Sequence, residues 1–266
     1  MSVQSLLHGL YSNIRDARHL GPGVLLRHWR GGKKHRWTIP GVGPVEVRPR
    51  STDTEVLRQV FVSREYDLSG IRRWPEIRAH YEALIAGGRT PLIIDAGANI
   101  GAASLWFARL FPQAAVIAIE PEPDNAECCR RNTAALPRVE VREAAIGAKP
   151  GRIQLENPAG KAWSVRSARS QSGDGIDIVT IRDIVDSVPN AALFIAKIDI
   201  EGFESDLFAE NLEWVDAAKL IFVEIHDWMM PGRGTSFPLQ RAMGERRMEM
   251  LIRGENLVYL SPEPAA

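Results

Sequence analysis

The chain has 266 residues, 45% hydrophobic and 25% charged, the balance of a globular protein with a large core, which excludes disorder as the main state. Basic and acidic residues number 33 each, so the net charge is zero, and binding a nucleic acid by phosphate neutralisation alone is excluded. No run approaches the roughly 18 apolar residues of a membrane-spanning helix. The two cysteines, Cys128 and Cys129, are adjacent and build no disulfide framework, so the cytoplasm is the expected location.

Charge is unevenly spread. Residues 1–50 carry nine Arg/Lys against Asp16 and Glu46, together with four of the six histidines, and leave a net of minus seven to the rest. Such a basic head is expected to be solvated surface or to pair with the acidic body, with an anionic partner as the alternative. The first residues lack a charged start followed by a long apolar run, so no secretory signal is expected.

In chain order, residues 3–19 read as a helix, stopped by Gly21-Pro22-Gly23. Residues 36–39 and 45–48 read as a hairpin joined through Pro40-Gly41-Val42-Gly43-Pro44. Thr52-Asp53-Thr54-Glu55 has the form of a capping box, and Val56, Leu57, Val60 and Phe61 follow at helical spacing. A second helix is expected from Pro75 to Gly87-Gly88. From residue 91 the pattern changes to short apolar strands (91–95, 115–120, 139–142, 193–199 and 219–226) separated by helices (100–111, 123–134 and 203–210). A closing hairpin, 250–253 with 256–260, turns at Gly254. Near-continuous apolar strands alternating with helices mean a parallel sheet covered on both faces. Segment 157–175 has no period and reads as a flexible loop or a substrate-side insert. The expected organisation is a basic extension over 1–50, a helical lead-in over 51–90 and a doubly wound, Rossmann-like α/β domain over 91–266.

In such a sheet ligands bind beyond the carboxyl ends of the strands. The first strand runs into Asp95-Ala96-Gly97-Ala98-Asn99-Ile100-Gly101, a D-x-G-x-x-x-G loop. Glycines let backbone approach a ligand closely. A pyrophosphate wants backbone donors, whereas an aspartate in place of the first fingerprint glycine suits a cationic ligand. Glu120 ends the second strand, 19 residues after Gly101 and just before Pro121, where a carboxylate accepts hydrogen bonds from ribose hydroxyls. A nucleoside cofactor explains both.

These residues, with Lys197-Ile-Asp-Ile-Glu-Gly-Phe-Glu204, Val223-Glu-Ile-His226 and the upstream Arg50–Phe61 and Glu65-Tyr-Asp67, resemble the FkbM family of S-adenosylmethionine-dependent O-methyltransferases over about residues 48–260. The resemblance implies a class I methyltransferase fold, a seven-stranded sheet with one antiparallel strand near its edge. It implies S-adenosylmethionine held by Asp95, Ala96, Gly97, Asn99, Gly101 and Asp199, with Glu120 and Pro121 at the ribose and Glu143 and Ala144 near the adenine. Many relatives of this fold carry Asp at the adenine position, where this chain has Glu143-Ala144-Ala145. The implied reaction is O-methylation of a small-molecule hydroxyl on a sugar, glycolipid or natural product.

Lys197 and Asp199 share one face of a strand, and a lysine buried there needs a partner, which Asp199 or Glu224 can supply. Glu201 and Glu204 suit the first turn of a helix. Glu224 and His226 share a face of the last parallel strand, and a neutral His226 there is a suitable general base. The catalytic set expected is therefore His226, Glu224, Asp199 and Lys197. No metal is expected; a divalent ion on Asp199, Glu201, Glu224 and His226 is the alternative, without close ligand spacing to support it. Trp228, Met229 and Met230 line either an acceptor pocket or the core. Competing readings are an NAD-dependent enzyme on the same fold and a non-catalytic module whose basic head grips an anionic partner. No nucleic-acid partner is expected, although Trp29, Lys33, Lys34, Arg36 and Trp37 leave RNA as a narrower rival.

Overall fold

A computed structural model of the chain describes residues 14–26, 35–156, 166–170 and 174–262. The chain divides into two units, Met1–Tyr66 and Asp67–Ala266, so the division falls inside the helical lead-in expected over 51–90. In the first unit, residues 14–20 form helix α1; the part of the predicted helix before residue 14 lies outside the described residues. Strands β1 (His35–Ile39) and β2 (Gly43–Val47) form the expected antiparallel hairpin, with Arg36 opposite Glu46. The capping box is not made. Helix α2 (Asp53–Leu57) has no side-chain cap at Thr52 and runs into a π turn over Arg58–Val62. Asp53 is instead fully buried and accepts the Arg48 backbone N–H (2.7 Å) and guanidinium (2.8 Å). The cap is lost because a buried carboxylate needs charged partners more than a helix end needs a hydroxyl.

The second unit opens with helix α3 (Trp74–Ala86), which carries Pro75 in its first turn and stops at Gly87, as expected. Strand β3 (Thr90–Ala96), helix α4 (Ala102–Leu110), β4 (Ala115–Ile119), α5 (Pro123–Thr133) and β5 (Val139–Arg142) follow. Then come β6 (Ala145–Ile146), β7 (Gly151–Glu156), β8 (Arg166–Arg169), β9 (Ile176–Val179) and α6 (Ile181–Ser187). The last elements are β10 (Ala191–Ile198), α7 (Glu204–Leu207), α8 (Glu213–Ala217), β11 (Leu220–Glu224), α9 (Phe237–Glu245), β12 (Glu249–Arg253) and β13 (Asn256–Leu260).

Seven strands form one sheet in the order β12-β13-β11-β10-β3-β4-β5. The neighbours from β11 to β5 pair in parallel, and β13 runs antiparallel to both β11 and β12. This is the doubly wound, mostly parallel seven-stranded order that the resemblance implies, with its one reversed strand beside the edge. Burial explains why the central strands read as unbroken apolar runs. Leu92, Ile93 and Ile94 of β3 and Phe194, Ile195 and Ala196 of β10 are fully buried, so both faces of each strand meet protein. On one face Leu92, Ile94, Ile117, Ile198 and Ile221 join α6, α8 and α9 through Ile184, Val215 and Leu239. On the other, Tyr81 of α3 and Phe111 meet Phe194 at ring-centroid distances of 5.6 and 4.9 Å. Burying each such side chain contributes about 1.5–3 kcal/mol.

The segment between β5 and α6 is more ordered than its composition indicates. Strands β6, β9, β7 and β8 form a separate sheet in that order, packed through Ala145, Ile153 and Ile178 against Phe203. Residues 157–165 and 171–173 of the expected loop lie outside the described residues. The sheet is tied to the one-turn helix α7: Arg169 of β8 pairs with Asp206 (2.9 Å), which also accepts the Ala148 N–H at 3.1 Å. Helix α7 is thereby fixed beside the end of β10.

Candidate functional site

The carboxyl ends of β3, β4, β10 and β11 lie side by side, and register brings their last residues together. Ala96 pairs with Ile119 and Ile198, and Ile198 with Val223. The next residues, Gly97, Glu120, Asp199 and Glu224, are thus neighbours. Gly97 has φ +75°, and a Cβ there would stand 1.7 Å from the Asp199 carbonyl oxygen, so only glycine lets the two strand ends approach. Asn99 also adopts a positive φ, and its buried Oδ1 has no hydrogen-bond partner among the described residues.

The loop spends its own donors. The N–H groups of Gly97 and Ala98 both go to the Ile119 carbonyl (2.9 and 3.0 Å), and that of Gly101 goes to Ala98 (2.8 Å). The Asn99 N–H donates to Glu120 Oε2 at 2.8 Å. Glu120 Oε1 accepts the Glu122 N–H (3.0 Å) and the Asn125 amide (3.3 Å). Burial pushes the Glu120 carboxyl above its ordinary range, and the Glu122 and Asn99 N–H groups partly offset it. Asn125 was not read from sequence as part of the site; its place two residues into a Pro-started helix after Glu120 was the available signal.

Lys197, expected in the catalytic set, is 3% exposed. Its Nζ donates to the carbonyls of Gly97 (2.7 Å) and Ala96 (3.3 Å) and stands 3.2 Å from Asp95 Oδ1 and 3.4 Å from Asp199 Oδ2. Asp199 is an expected partner and Asp95 a further one, and the Lys197 charge also acts on Glu224, the other expected partner. Asp95 is fully buried, and its Oδ2 accepts the Ser104 hydroxyl at 2.6 Å. Its charge is therefore met by Lys197 inside the protein, a correction to the expectation that it faces a cationic ligand. Lys197 and Asp95 hold the glycine loop from beneath.

His226 is buried, and its ring joins three carboxylates. Nδ1 lies 2.8 Å from Glu204 Oε1, while Nε2 is 3.6 Å from Asp199 Oδ1 and 3.7 Å from Glu224 Oε1. Burial acts to lower its pKa, but the Glu204 hydrogen bond and the Asp199 and Glu224 charges outweigh it and raise it to about 9. A cation bound among these carboxylates would oppose that rise. Burial and the Asp199 charge raise Glu224 to about 7 and Glu201 to about 8, with His226 opposing both. Glu204, read from sequence as a helix-end acid, makes no cap; it is almost fully buried and holds the imidazole. Alternation along one strand cannot reveal that contact, because α7 brings Glu204 in from another connection.

Ala144 is buried in the core, and Glu143 is half-exposed and pairs with Arg130 at 3.2 Å. Trp228 is exposed and Met229 buried. Cys128 and Cys129 are buried inside α5, where burial pushes the Cys129 thiol well up, so neither is a ready nucleophile. No helix among the described residues is long and apolar enough to cross a membrane.

The family model described as "Methyltransferase FkbM domain" matches residues 95–257, more than half of the chain. The chain is 30% identical over 155 residues to the 2-O-methyltransferase NoeI of Sinorhizobium fredii, a match covering 52% of this chain and 64% of NoeI. It is 40% identical over 68 residues to methyltransferase sdnD of Sordaria araneosa, covering 24% of this chain and 26% of that one. The chain thus spans less than two thirds of either relative. Among solved structures, a methyltransferase from Geobacter sulfurreducens matches with 18% identity over 78% of this chain and 87% of that one, at a TM-score of 0.38.

Proposed function

Because this chain belongs to the FkbM methyltransferase family, we propose that it is an S-adenosylmethionine-dependent O-methyltransferase acting on a hydroxyl of a small molecule such as a sugar, glycolipid or natural product. The observation that carries the choice of cofactor is the state of the glycine loop. The N–H groups of residues 97, 98, 99 and 101 are all spent inside the protein, which takes four loop donors from a dinucleotide pyrophosphate. What remains is acceptor chemistry: the unpartnered Asn99 Oδ1 and the carboxylates of Glu120, Asp199 and Glu224. That set fits a ligand bearing an ammonium, a sulfonium and ribose hydroxyls. Glu120 retains lone pairs beyond its three bonds for the ribose, and Asn99 and Asp199 suit the amino-acid end.

S-Adenosylmethionine supplies a methyl group on a positively charged sulfur. The chain's part is to orient the acceptor oxygen, exclude water and take a proton. Glu224 Oε1 and His226 Nε2, 3.7 Å apart, are the two groups placed to receive the hydroxyl proton, and Glu204 fixes the ring through Nδ1. The name of NoeI, a 2-O-methyltransferase, supports a hydroxyl acceptor.

Calorimetric titration with S-adenosylhomocysteine and, separately, with NAD tests the cofactor. Micromolar binding of the first and none of the second is expected, with Glu120→Gln weakening the first about tenfold through a lost charged hydrogen bond. NAD binding with no affinity for S-adenosylhomocysteine refutes the reading. His226→Ala is expected to lower turnover by about 10²–10⁴ with S-adenosylhomocysteine affinity retained; unchanged turnover removes the imidazole from the proton path.

A further inference from the structure

We propose that Asp199, Glu224 and His226 hold a divalent metal ion, of the Mn²⁺ class, beside the acceptor hydroxyl. The two carboxylate oxygens and the ring nitrogen all lie within 4.8 Å of one another. From His226 Nε2 to Asp199 Oδ1 and Glu224 Oε1 the separations are 3.6 and 3.7 Å. These are too long for hydrogen bonds. They fall inside the about 2.8–3.9 Å that separates two ligands bound at about 2.0–2.4 Å to one ion at octahedral to tetrahedral angles.

The imidazole itself points to a ligand. His226 is 5% exposed, and its Nε2 faces these two oxygens with no hydrogen bond among the described residues, while Nδ1 is held by Glu204 at 2.8 Å. A histidine that gives its Nδ1–H to a buried carboxylate and keeps Nε2 free has the outer-shell arrangement of metal-binding imidazoles, which fixes tautomer and ring orientation. Asp199 is divided in the same sense: Oδ2 faces Lys197 and Oδ1 faces His226. Two carboxylates with one imidazole are a harder donor set than thiolate or multi-histidine sites and suit Mn²⁺, with Mg²⁺ and Zn²⁺ as the neighbouring choices.

A role for the ion in the reaction rests on the methyl-transfer reading above; its binding does not. The ion's charge would lower the pKa of a hydroxyl placed beside it and ease the transfer of its proton to solvent water.

The test uses the full chain stripped of metal with a chelator and titrated with Mn²⁺, free ion being read by electron paramagnetic resonance. One Mn²⁺ per chain is expected, with affinity falling at least tenfold in Glu224→Gln and about 10–100-fold in Glu204→Gln, whose carboxylate holds the ligand histidine and the Gly202 N–H. Nitrogen coupling to the bound Mn²⁺ should be present in the wild type and absent in His226→Ala, a signature that a merely structural histidine does not give. Circular dichroism and S-adenosylhomocysteine titration of the same samples report whether each variant is folded. Wild-type protein that takes up Mn²⁺, Mg²⁺ and Zn²⁺ no better than the Glu224→Gln/His226→Ala double variant, while still binding S-adenosylhomocysteine, overturns the metal site and leaves the cofactor reading intact. Site-specific Mn²⁺ binding without S-adenosylhomocysteine binding upholds the metal site and overturns the cofactor reading.

Discussion

Lys197 tests the construction of the site most directly. Replacing it by Met keeps the hydrocarbon stem, which packs in the sheet, and removes only the ammonium. Four contacts go at once: the carbonyls of Gly97 and Ala96 at 2.7 and 3.3 Å, and the carboxylates of Asp95 and Asp199 at 3.2 and 3.4 Å. Asp95, fully buried, is left with the Ser104 hydroxyl alone among these polar contacts. Breaking a buried pair from one side costs about 3–5 kcal/mol, because the remaining charge stays uncompensated. For a unit of this size each kcal/mol moves the melting temperature by about 2–4 °C, so a fall of roughly 6–20 °C is expected. The assay is thermal and urea unfolding of the wild type, Lys197→Met, Asp95→Asn and the double variant. The double variant should be less destabilised than the sum of the singles by about 1–3 kcal/mol, the signature of direct coupling. A Lys197→Met protein within about 1 kcal/mol of wild type, or strict additivity with Asp95→Asn, refutes the reasoning that this ammonium anchors the glycine loop.

Gly97→Ala forces a Cβ to within 1.7 Å of the Asp199 carbonyl oxygen at a positive φ. At least about 1–3 kcal/mol of destabilisation is expected, with S-adenosylhomocysteine affinity lost in calorimetry; an unchanged affinity removes the glycine from the site. Glu76 gives a pH test remote from the site. The hydrogen bond from Arg73, helped by Lys219, holds its carboxyl at about 2 against the desolvation that raises it. The folded pKa is depressed, so the stabilisation is present above about pH 4.5 and is lost as the pH falls towards 2. With Glu76 about a third exposed, solvent screening reduces this to about 1 kcal/mol. Urea unfolding should show Glu76→Gln less stable than wild type at pH 7, with the gap closing by pH 2; a gap independent of pH excludes the ion pair as its source.

The periodicity of this chain carries most of the fold. Each central strand is buried on both faces, so Leu92–Ile94 and Phe194–Ala196 are apolar without interruption, and that is visible in a window of a few residues. Helix punctuation behaves similarly: Pro75 and Gly87 bound α3. The exceptions are instructive. Thr52 has a capping-box pattern but no cap, because Asp53 is drawn to Arg48. The four-stranded sheet between β5 and α6 was unreadable because its strands are short, and its packing partner, Phe203, comes from elsewhere in the chain.

Local residue patterns are enough to identify the chemistry present: a D-x-G-x-x-x-G turn, a strand-ending Glu120, and acids with one histidine at the ends of two later strands. Which of those groups meet is a matter of the folded chain. Asp199 lies 25 residues before Glu224 in the chain, and they meet because Ile198 pairs with Val223 across β10 and β11. No spacing rule for metal ligands spans two strands and the helices between them. The same register sets Lys197 opposite Asp95 and so uses the first loop acid within the protein. A charge is placed by the neighbours that sheet register gives it, and register is a property of strands far apart in sequence.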